Sequence, residues 1–176
     1  MLFMEYLDIL NEDGQSTGVR DLKDRVKQNG HWHRVVNLWI VNPQGDILQM
    51  KRAPGLTYFP NFWGTVGGHV QAGEHALDAV VRETLEELGI SLNPQDLTHI
   101  FTDKAEYPWK DKTLRVFRDV YTTVWSGSLM NILLDPREAQ QVSWFSRKEL
   151  QNRYLDKNSE VFPLPQTYLD QLWCKI

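Results

Sequence analysis

Between Gly68 and Ile90 the chain reads GHVQAGEHALDAVVRETLEELGI, and Gly68, Glu74, Arg82, Glu83, Glu86, Glu87 and Gly89 fall in the spacing G-x5-E-x7-R-E-x-x-E-E-x-G. Residues 75–88 lack proline and glycine, favour helix formers and stop at Gly89, which predicts one helix. At about 100° per residue, Glu83, Glu86 and Glu87 share one side of it, and Leu77, Val80, Val81, Thr84 and Leu88 share roughly the opposite side. Ala76 and Ala79, earlier on the carboxylate side, are too small to block access to it. Like charges within one turn repel. A hard divalent cation compensates them, since Mg²⁺ prefers carboxylate oxygen and retains waters and substrate phosphates in its shell. The alternative is a solvated acidic helix face. It suits a lone E-x-x-E-E better than a run that also holds Gly68, Glu74, Arg82 and Gly89 in register.

The flanking elements must position these groups. Gly67-Gly68 lets the backbone approach a ligand closely, which makes the Gly67 carbonyl a candidate metal ligand. Glu74 lies near the helix N-terminus, where the dipole favours a carboxylate. Upstream, residues 5–10 and 17–20 read as a hairpin about an Asn-Glu-Asp-Gly turn. Asp21 is the expected cap of a short helix to Gln28. Residues 31–42 and 46–52 read as a second, central hairpin about Asn42-Pro43-Gln44-Gly45. Lys51 and Arg52 close it beside the loop 53–62, where cations can hold phosphate oxygens; surface charge at a strand end is the alternative. Tyr58, Phe59, Phe62 and Trp63 are read as anchoring that loop on the core, with stacking on a base as the alternative.

Downstream, residues 97–101, 114–125 and 142–145 are strand candidates, residues 147–152 a helix, and Pro163-Leu164-Pro165 opens a last helix to about Trp173. Residues 102–113 read as a loop that could contact substrate; Asp103, Lys104, Glu106, Trp109 and Asp111 are chemically suitable, but loops are generally polar and no single member is assigned a role.

A chain of 176 residues with 41% hydrophobic and 24% charged residues suits one globular domain. A net charge of −4 provides no basic field for a nucleic-acid polymer, while small anions held through metal remain open. Cys174 is the only cysteine, so no disulfide framework exists. The opening MLFMEYLDIL does not read as a signal peptide and no apolar run is long enough for a membrane span, so no membrane partner and a cytoplasmic location are expected. A homodimer is compatible with the sequence, which does not specify the number of subunits.

The run from Gly68 to Ile90 resembles the Nudix box. The wider resemblance, carried by LDILNEDGQSTG, HRVVNLWIVNPQGDILQMKRA, FPNFWGTVGGHVQAGE and EAQQVSWFSRKEL, is to the Nudix branch that contains the type I isopentenyl-diphosphate isomerases. It implies an α+β fold, an α/β/α sandwich whose mixed sheet is flanked by helices. In this reading residues 31–150 are expected to form the core of one domain, with a hairpin and short-helix extension over 1–30 and a C-terminal helix over 151–176. It also implies that Glu74 pairs with Arg82 to brace the loop against the helix, with Gly68 and Gly89 as structural support. Glu138, six residues before Trp144, matches a glutamate that ligates metal or acts as a base in several members, with ordinary surface acid as the alternative. His33 and His69 match metal-binding histidines of the isomerases and are read here as structural or substrate-facing. The isomerases require a cysteine where this chain has Gly67 and glutamates where it has LRVFRDVYTT, whereas Arg82, Glu83, Glu86 and Glu87 keep the full hydrolase core.

The expected activity is hydrolysis of a diphosphate linkage in a small molecule. In this reading Glu83, Glu86 and Glu87, with the Gly67 carbonyl and Glu138, bind Mg²⁺ or Mn²⁺. Glu86 or Glu138 takes the proton of the attacking water, and Lys51, Arg52 and His69 face the substrate. The alternatives are an isomerase acting on isoprenoid diphosphates and a regulator that binds nucleotide derivatives without turnover.

Overall fold

The computed structural model describes residues 4–109 and 112–176. The chain order is β1 (Tyr6–Leu10), β2 (Ser16–Leu22), α1 (Lys23–Gln28), β3 (Trp32–Val41), β4 (Ile47–Arg52), β5 (Trp63–Gly64), β6 (Val66–His69), α2 (Ala76–Leu88), β7 (Thr98–Trp109), β8 (Lys112–Val124), β9 (Ala139–Phe145), α3 (Arg147–Leu155) and α4 (Gln166–Trp173). β3 is the axis of a mixed sheet. It runs parallel to β8 from Trp32↔Arg115 to Val41↔Val124 and antiparallel to β6 from Val35↔His69 to Leu38↔Val66.

The period-2 alternation of β3 explains the layers. Val36, Leu38 and Ile40 join Ala79, Val80 and Leu88 of α2 in one buried cluster, together with Leu48 and Met50 of β4. Trp39, on the other face, joins Ile47, Val120, Phe145, Leu150 of α3 and Tyr168, Leu169 and Leu172 of α4. Trp39 Nε1 donates to the Tyr168 hydroxyl at 2.8 Å, which satisfies the polar atom of a fully buried indole. The result is the expected α+β arrangement, a mixed sheet between helices. Among the described residues no helix is long and apolar enough to cross a membrane.

Several expectations are corrected. The hairpin read over 31–52 pairs at its tip alone, Val41↔Ile47; its strands then diverge, β4 pairing with β9 and β5. Asp21 lies in β2 and caps no helix; Leu22 precedes α1 without a side-chain cap, and Asp21 Oδ1 accepts from the Leu22 N–H at 2.8 Å. Residues 102–113 do not form a substrate loop, because β7 and β8 extend through most of the segment as one long ladder from Thr98↔Thr122 to Trp109↔Lys112. Two of its acids pair across the ladder: Arg118 Nη1 with Asp103 at 3.3 Å and Arg115 Nε with Glu106 at 3.1 Å. Lys104 Nζ lies 4.6 Å from the Trp32 ring centroid. Asp111 lies outside the described residues, and so does the side chain of Trp109.

The N-terminal strand touches the box directly. The Ala72 N–H donates to the Tyr6 carbonyl at 2.8 Å, and the Gly73 N–H to Asp8 Oδ2 at 2.9 Å. β1 therefore fixes the loop that enters α2.

Candidate functional site

α2 ends where the sequence expects. Gly89 adopts φ 67° and its N–H caps the Leu85 carbonyl, and a Cβ there would lie 2.8 Å from Leu133 Cβ. The helix then hands its last carbonyls to the following segment, Leu88 to the Leu133 N–H and Glu87 to the Asp135 N–H. This carries the chain to Glu138, whose carbonyl accepts the Ala53 N–H at 2.9 Å beside the end of β4.

The carboxylates of α2 do not share one environment. Glu86 is exposed, Glu83 is half-buried, and Glu87 is 4% exposed, among the core residues Val80, Thr84 and Leu88. Val80 and Glu87 are seven residues apart and lie within about 20° of each other on the helix, so Glu87 belongs to the buried arc. Ala79, expected to line the carboxylate side, is fully buried in the core.

Arg82 braces this group. Its Nε and Nη2 make a two-point contact to Glu74 at 2.8 and 2.9 Å, Nη2 also reaches the His69 carbonyl at 2.9 Å, and Nη1 reaches Glu83 at 2.8 Å and Glu86 at 3.3 Å. Burial raises the Glu74 carboxyl pKa, but the hydrogen bonds from Arg82 and the Gln71 N–H outweigh it and hold it below the usual range. Because Nη1 engages both Glu83 and Glu86, the carboxylates stand around a guanidinium. Among the described residues no three His, Cys, Asp or Glu side chains are gathered as a metal-ligating group.

β6 passes directly under these acids. The Gly67 N–H donates to Glu87 Oε2 at 3.3 Å, and the Glu83 carboxylate occupies the space that a Cβ on Gly68 would fill. The two glycines are therefore needed for different reasons. A Cβ on Gly67 would meet the Val36 carbonyl at 2.6 Å, a backbone atom that cannot yield; one on Gly68 meets the end of a side chain. Gly67→Ala is expected to lower the melting temperature by about 4 °C or more. Gly68→Ala should melt within about 2 °C of the wild type yet lose most divalent-cation binding. Thermal melts with and without Mn²⁺ distinguish the two.

The opposite wall comes from β4 and from the segment before β9. Burial, opposed by the charges of Glu87 and Glu138, acts on Arg52. Burial pushes the Glu87 carboxyl well above its usual range, and the charges of Glu83 and then Glu138 add to it; the Gly67 N–H and Arg52 oppose. Burial likewise raises Glu83, against the charge and hydrogen bond of Arg82. Glu83, Glu87, Glu138 and Arg52 thus occupy one electrostatic neighbourhood. Lys51, next in the strand, turns away and pairs with Glu160 at 3.4 Å.

His33 and His69 stack with ring centroids 5.4 Å apart and planes 11° from parallel, and His33 Nδ1 lies 3.0 Å from the His31 carbonyl. Burial first, and then nearby positive charges that include Lys23 and Lys27, favour the neutral form of both rings. Those lysines belong to α1. A helix of six residues is too short for a periodic pattern to reveal its neighbours.

The NUDIX domain family model matches residues 31–164. An uncharacterized Nudix hydrolase of Clostridium acetobutylicum is 33% identical over 121 residues, covering 66% of this chain and 58% of that protein. An isopentenyl-diphosphate Delta-isomerase of Streptomyces coelicolor is 28% identical over 150 residues, covering 84% of this chain and 74% of that protein. The crystal structure of DR0079 from Deinococcus radiodurans superposes with a TM-score of 0.71 at 26% identity, covering 98% of this chain and 100% of that one. The chain spans 58% of the length of the Clostridium relative and 21% of that of Nudix hydrolase 3 of Arabidopsis thaliana, to which it is 29% identical. With the box on α2, the mixed sheet between helices and these relatives in agreement, the chain belongs to the NUDIX domain family.

Proposed function

We infer that the protein hydrolyses a diphosphate linkage in a nucleoside diphosphate derivative or a related small molecule, by water attack at phosphorus in the presence of Mg²⁺ or Mn²⁺. The observation that carries this reading is the burial of Glu87 on the box helix with Glu83, Arg52 and Glu138 near enough for their charges to bear on it. Such a group is unfavourable by itself, since burial and mutual repulsion both work against its ionised state. Its donors are all hard carboxylate oxygens, which fits Mg²⁺ or Mn²⁺ in chemistry and gives the burial a purpose. Glu83, Glu86, Glu87, Glu138 and the Gly67 carbonyl would hold the cation, with Arg82 giving up its contacts to Glu83 and Glu86 while keeping Glu74. The cation, when bound, neutralises diphosphate charge and acidifies a water.

The rest falls to the chain's own residues. Glu86, the solvent-facing member of the box, or Glu138 accepts the proton of the attacking water. Arg52, and not Lys51, faces the carboxylates and stabilises the departing phosphate. Arg82 and Gly68 position Glu83.

The test is metal-dependent release of phosphate or nucleoside monophosphate by the purified protein, across a panel of nucleoside diphosphate derivatives. Glu86→Gln should lower turnover by about 10²–10⁴-fold; wild-type turnover in that variant would remove Glu86 from the mechanism. A second reading, isomerisation of an isoprenoid diphosphate, is favoured by the stacked His33–His69 pair beside the box and by the Streptomyces relative. Isopentenyl diphosphate therefore belongs in the panel, with conversion to dimethylallyl diphosphate as the result that would support this reading.

A further inference from the structure

Asn37 stands in the middle of β3, between the buried Val36 and Leu38. Asparagine is depleted in strands, because it packs poorly on a pleated surface and its amide competes for backbone hydrogen bonds. By the alternation of β3, Asn37 shares a face with His33, Val35 and Trp39, opposite to the face that packs on α2. Other polar groups of that face have partners. Trp39 Nε1 donates to the Tyr168 hydroxyl, and Arg118, the parallel neighbour of Val35, is held by Asp103 and by the Tyr107 hydroxyl. Among the described residues the Asn37 carboxamide has no hydrogen-bond partner.

The surroundings keep this amide open. Trp39 is fully buried against α4, whereas Asn37 and Val35, further from that helix, are half-buried. Across the antiparallel ladder Asn37 faces Gly67, which has no side chain to cover it. A Cβ on Gly67 would come within 2.9 Å of Asn37 Nδ2, so the glycine clears space for the amide as well as for the Val36 carbonyl. The next pair on the same face is Val35 with His69, whose ring stacks on His33. The Gly67 N–H meets Glu87, so the amide lies one strand away from the backbone that contacts the box acids.

A carboxamide offers one acceptor oxygen and two N–H donors and carries no charge. It suits the hydroxyls and ring edges of a nucleoside better than the charge of a diphosphate. A hydrocarbon tail laid over it would strip its water and return no hydrogen bond. Sites built to hydrogen-bond a ligand group reject analogues that lack it more strongly than apolar pockets reject an added group.

We propose that Asn37 is a specificity residue that hydrogen-bonds the nucleoside portion next to the diphosphate and commits the site to nucleoside diphosphate derivatives over isoprenoid diphosphates. This role deepens the hydrolase reading and rests on it for the position of the diphosphate against Gly67 and the box. The competing role for Asn37 is a filler of the space beside Gly67 that touches no ligand.

The experiment is isothermal titration in Mn²⁺ of ADP, GDP, CDP and UDP, of inorganic pyrophosphate and of isopentenyl diphosphate into the full chain. The proteins are the wild type, Asn37→Leu and Asn37→Ser, each with a thermal melt. The wild type should bind the best of the nucleoside diphosphates about tenfold or more tightly than isopentenyl diphosphate. Asn37→Leu should weaken that nucleoside diphosphate about tenfold, tighten isopentenyl diphosphate about threefold and leave pyrophosphate within about twofold. Asn37→Ser, which keeps a donor and an acceptor, should stay within about threefold of the wild type. Asn37→Leu should melt no lower than the wild type, since the amide it removes has no partner in the protein. An equal loss for all ligands, or a lowered melting temperature with unchanged ligand ratios, would make Asn37 a filler and overturn its role. So would a wild type that binds isopentenyl diphosphate as tightly as any nucleoside diphosphate. Phosphate release measured in parallel separates this role from the hydrolase reading. Hydrolysis with unchanged ratios in Asn37→Leu sinks the role of Asn37 alone, and shifted ratios without hydrolysis sink the hydrolase reading alone.

Discussion

Replacing Glu87 by glutamine is expected to stabilise the metal-free protein above pH 6 while lowering hydrolysis by about 10²-fold or more. Glu87 is buried, and both its burial and the charges of Glu83 and Glu138 push its carboxyl well above the ordinary value of 4.5. Between the unfolded and the folded pKa, the native state holds a proton that the unfolded chain has released, so stability falls as pH rises through that window. Below 4.5 both states are protonated and the penalty is absent; above the raised folded value it is present in full. Glutamine keeps the shape and can still accept the Gly67 N–H, but carries no charge to bury. A gain of ~0.5–2 kcal/mol is expected, with each kcal/mol worth about 2–4 °C in a chain of this size. Melts in EDTA from pH 5 to 8 should diverge as pH rises, the wild type falling below the variant. Mn²⁺ should reverse the order, because only the wild type gains the full set of ligands. Parallel melting curves for the two proteins across this range would remove the buried charge from the account.

The same residue marks how far the sequence could be read. The helix and its stop at Gly89 follow from composition and spacing, and so does the cluster of acids, because the helix period is insensitive to tertiary context. The burial of Glu87 is legible as well, in the seven-residue interval from Val80, but placing the three glutamates together on one carboxylate face obscures it. Lys51 and Arg52 look alike as a pair of cations, but adjacent strand residues point to opposite faces: Lys51 pairs with Glu160, and Arg52 feels the charges of Glu87 and Glu138. Residues 102–109 resemble a loop for a different reason. Their charged side chains look like a loop until their partners on β8 are known, and those partners are found only once the ladder has formed.

Arg82→Ala should lose activity through the fold of the site rather than through chemistry, and its signature should differ from that of any glutamate variant. The guanidinium holds Glu74 by two parallel hydrogen bonds, the His69 carbonyl by a third, and Glu83 by a fourth. It therefore ties the loop before α2, the end of β6 and the helix together at one point. The side chains concerned are 22%, 16% and 13% exposed for Arg82, Glu74 and Glu83, so the charges left behind are only partly rehydrated. Breaking a buried pair by removing one partner costs about 3–5 kcal/mol, and solvent screening at this exposure reduces that to roughly 2–4 kcal/mol. The melting temperature should fall by about 5–15 °C. Lysine should recover little, because a single ammonium cannot make the planar two-point contact to Glu74 and reach the His69 carbonyl and Glu83 as well. The decisive comparison is the double variant Glu74→Gln with Arg82→Gln, which removes both charges. If Arg82 braces Glu74, the double variant should be more stable than Arg82→Gln alone, because the stranded Glu74 carboxylate is gone. A double variant no more stable than the single one would mean that Glu74 is adequately solvated without Arg82, and that the arginine serves the carboxylates of the box alone.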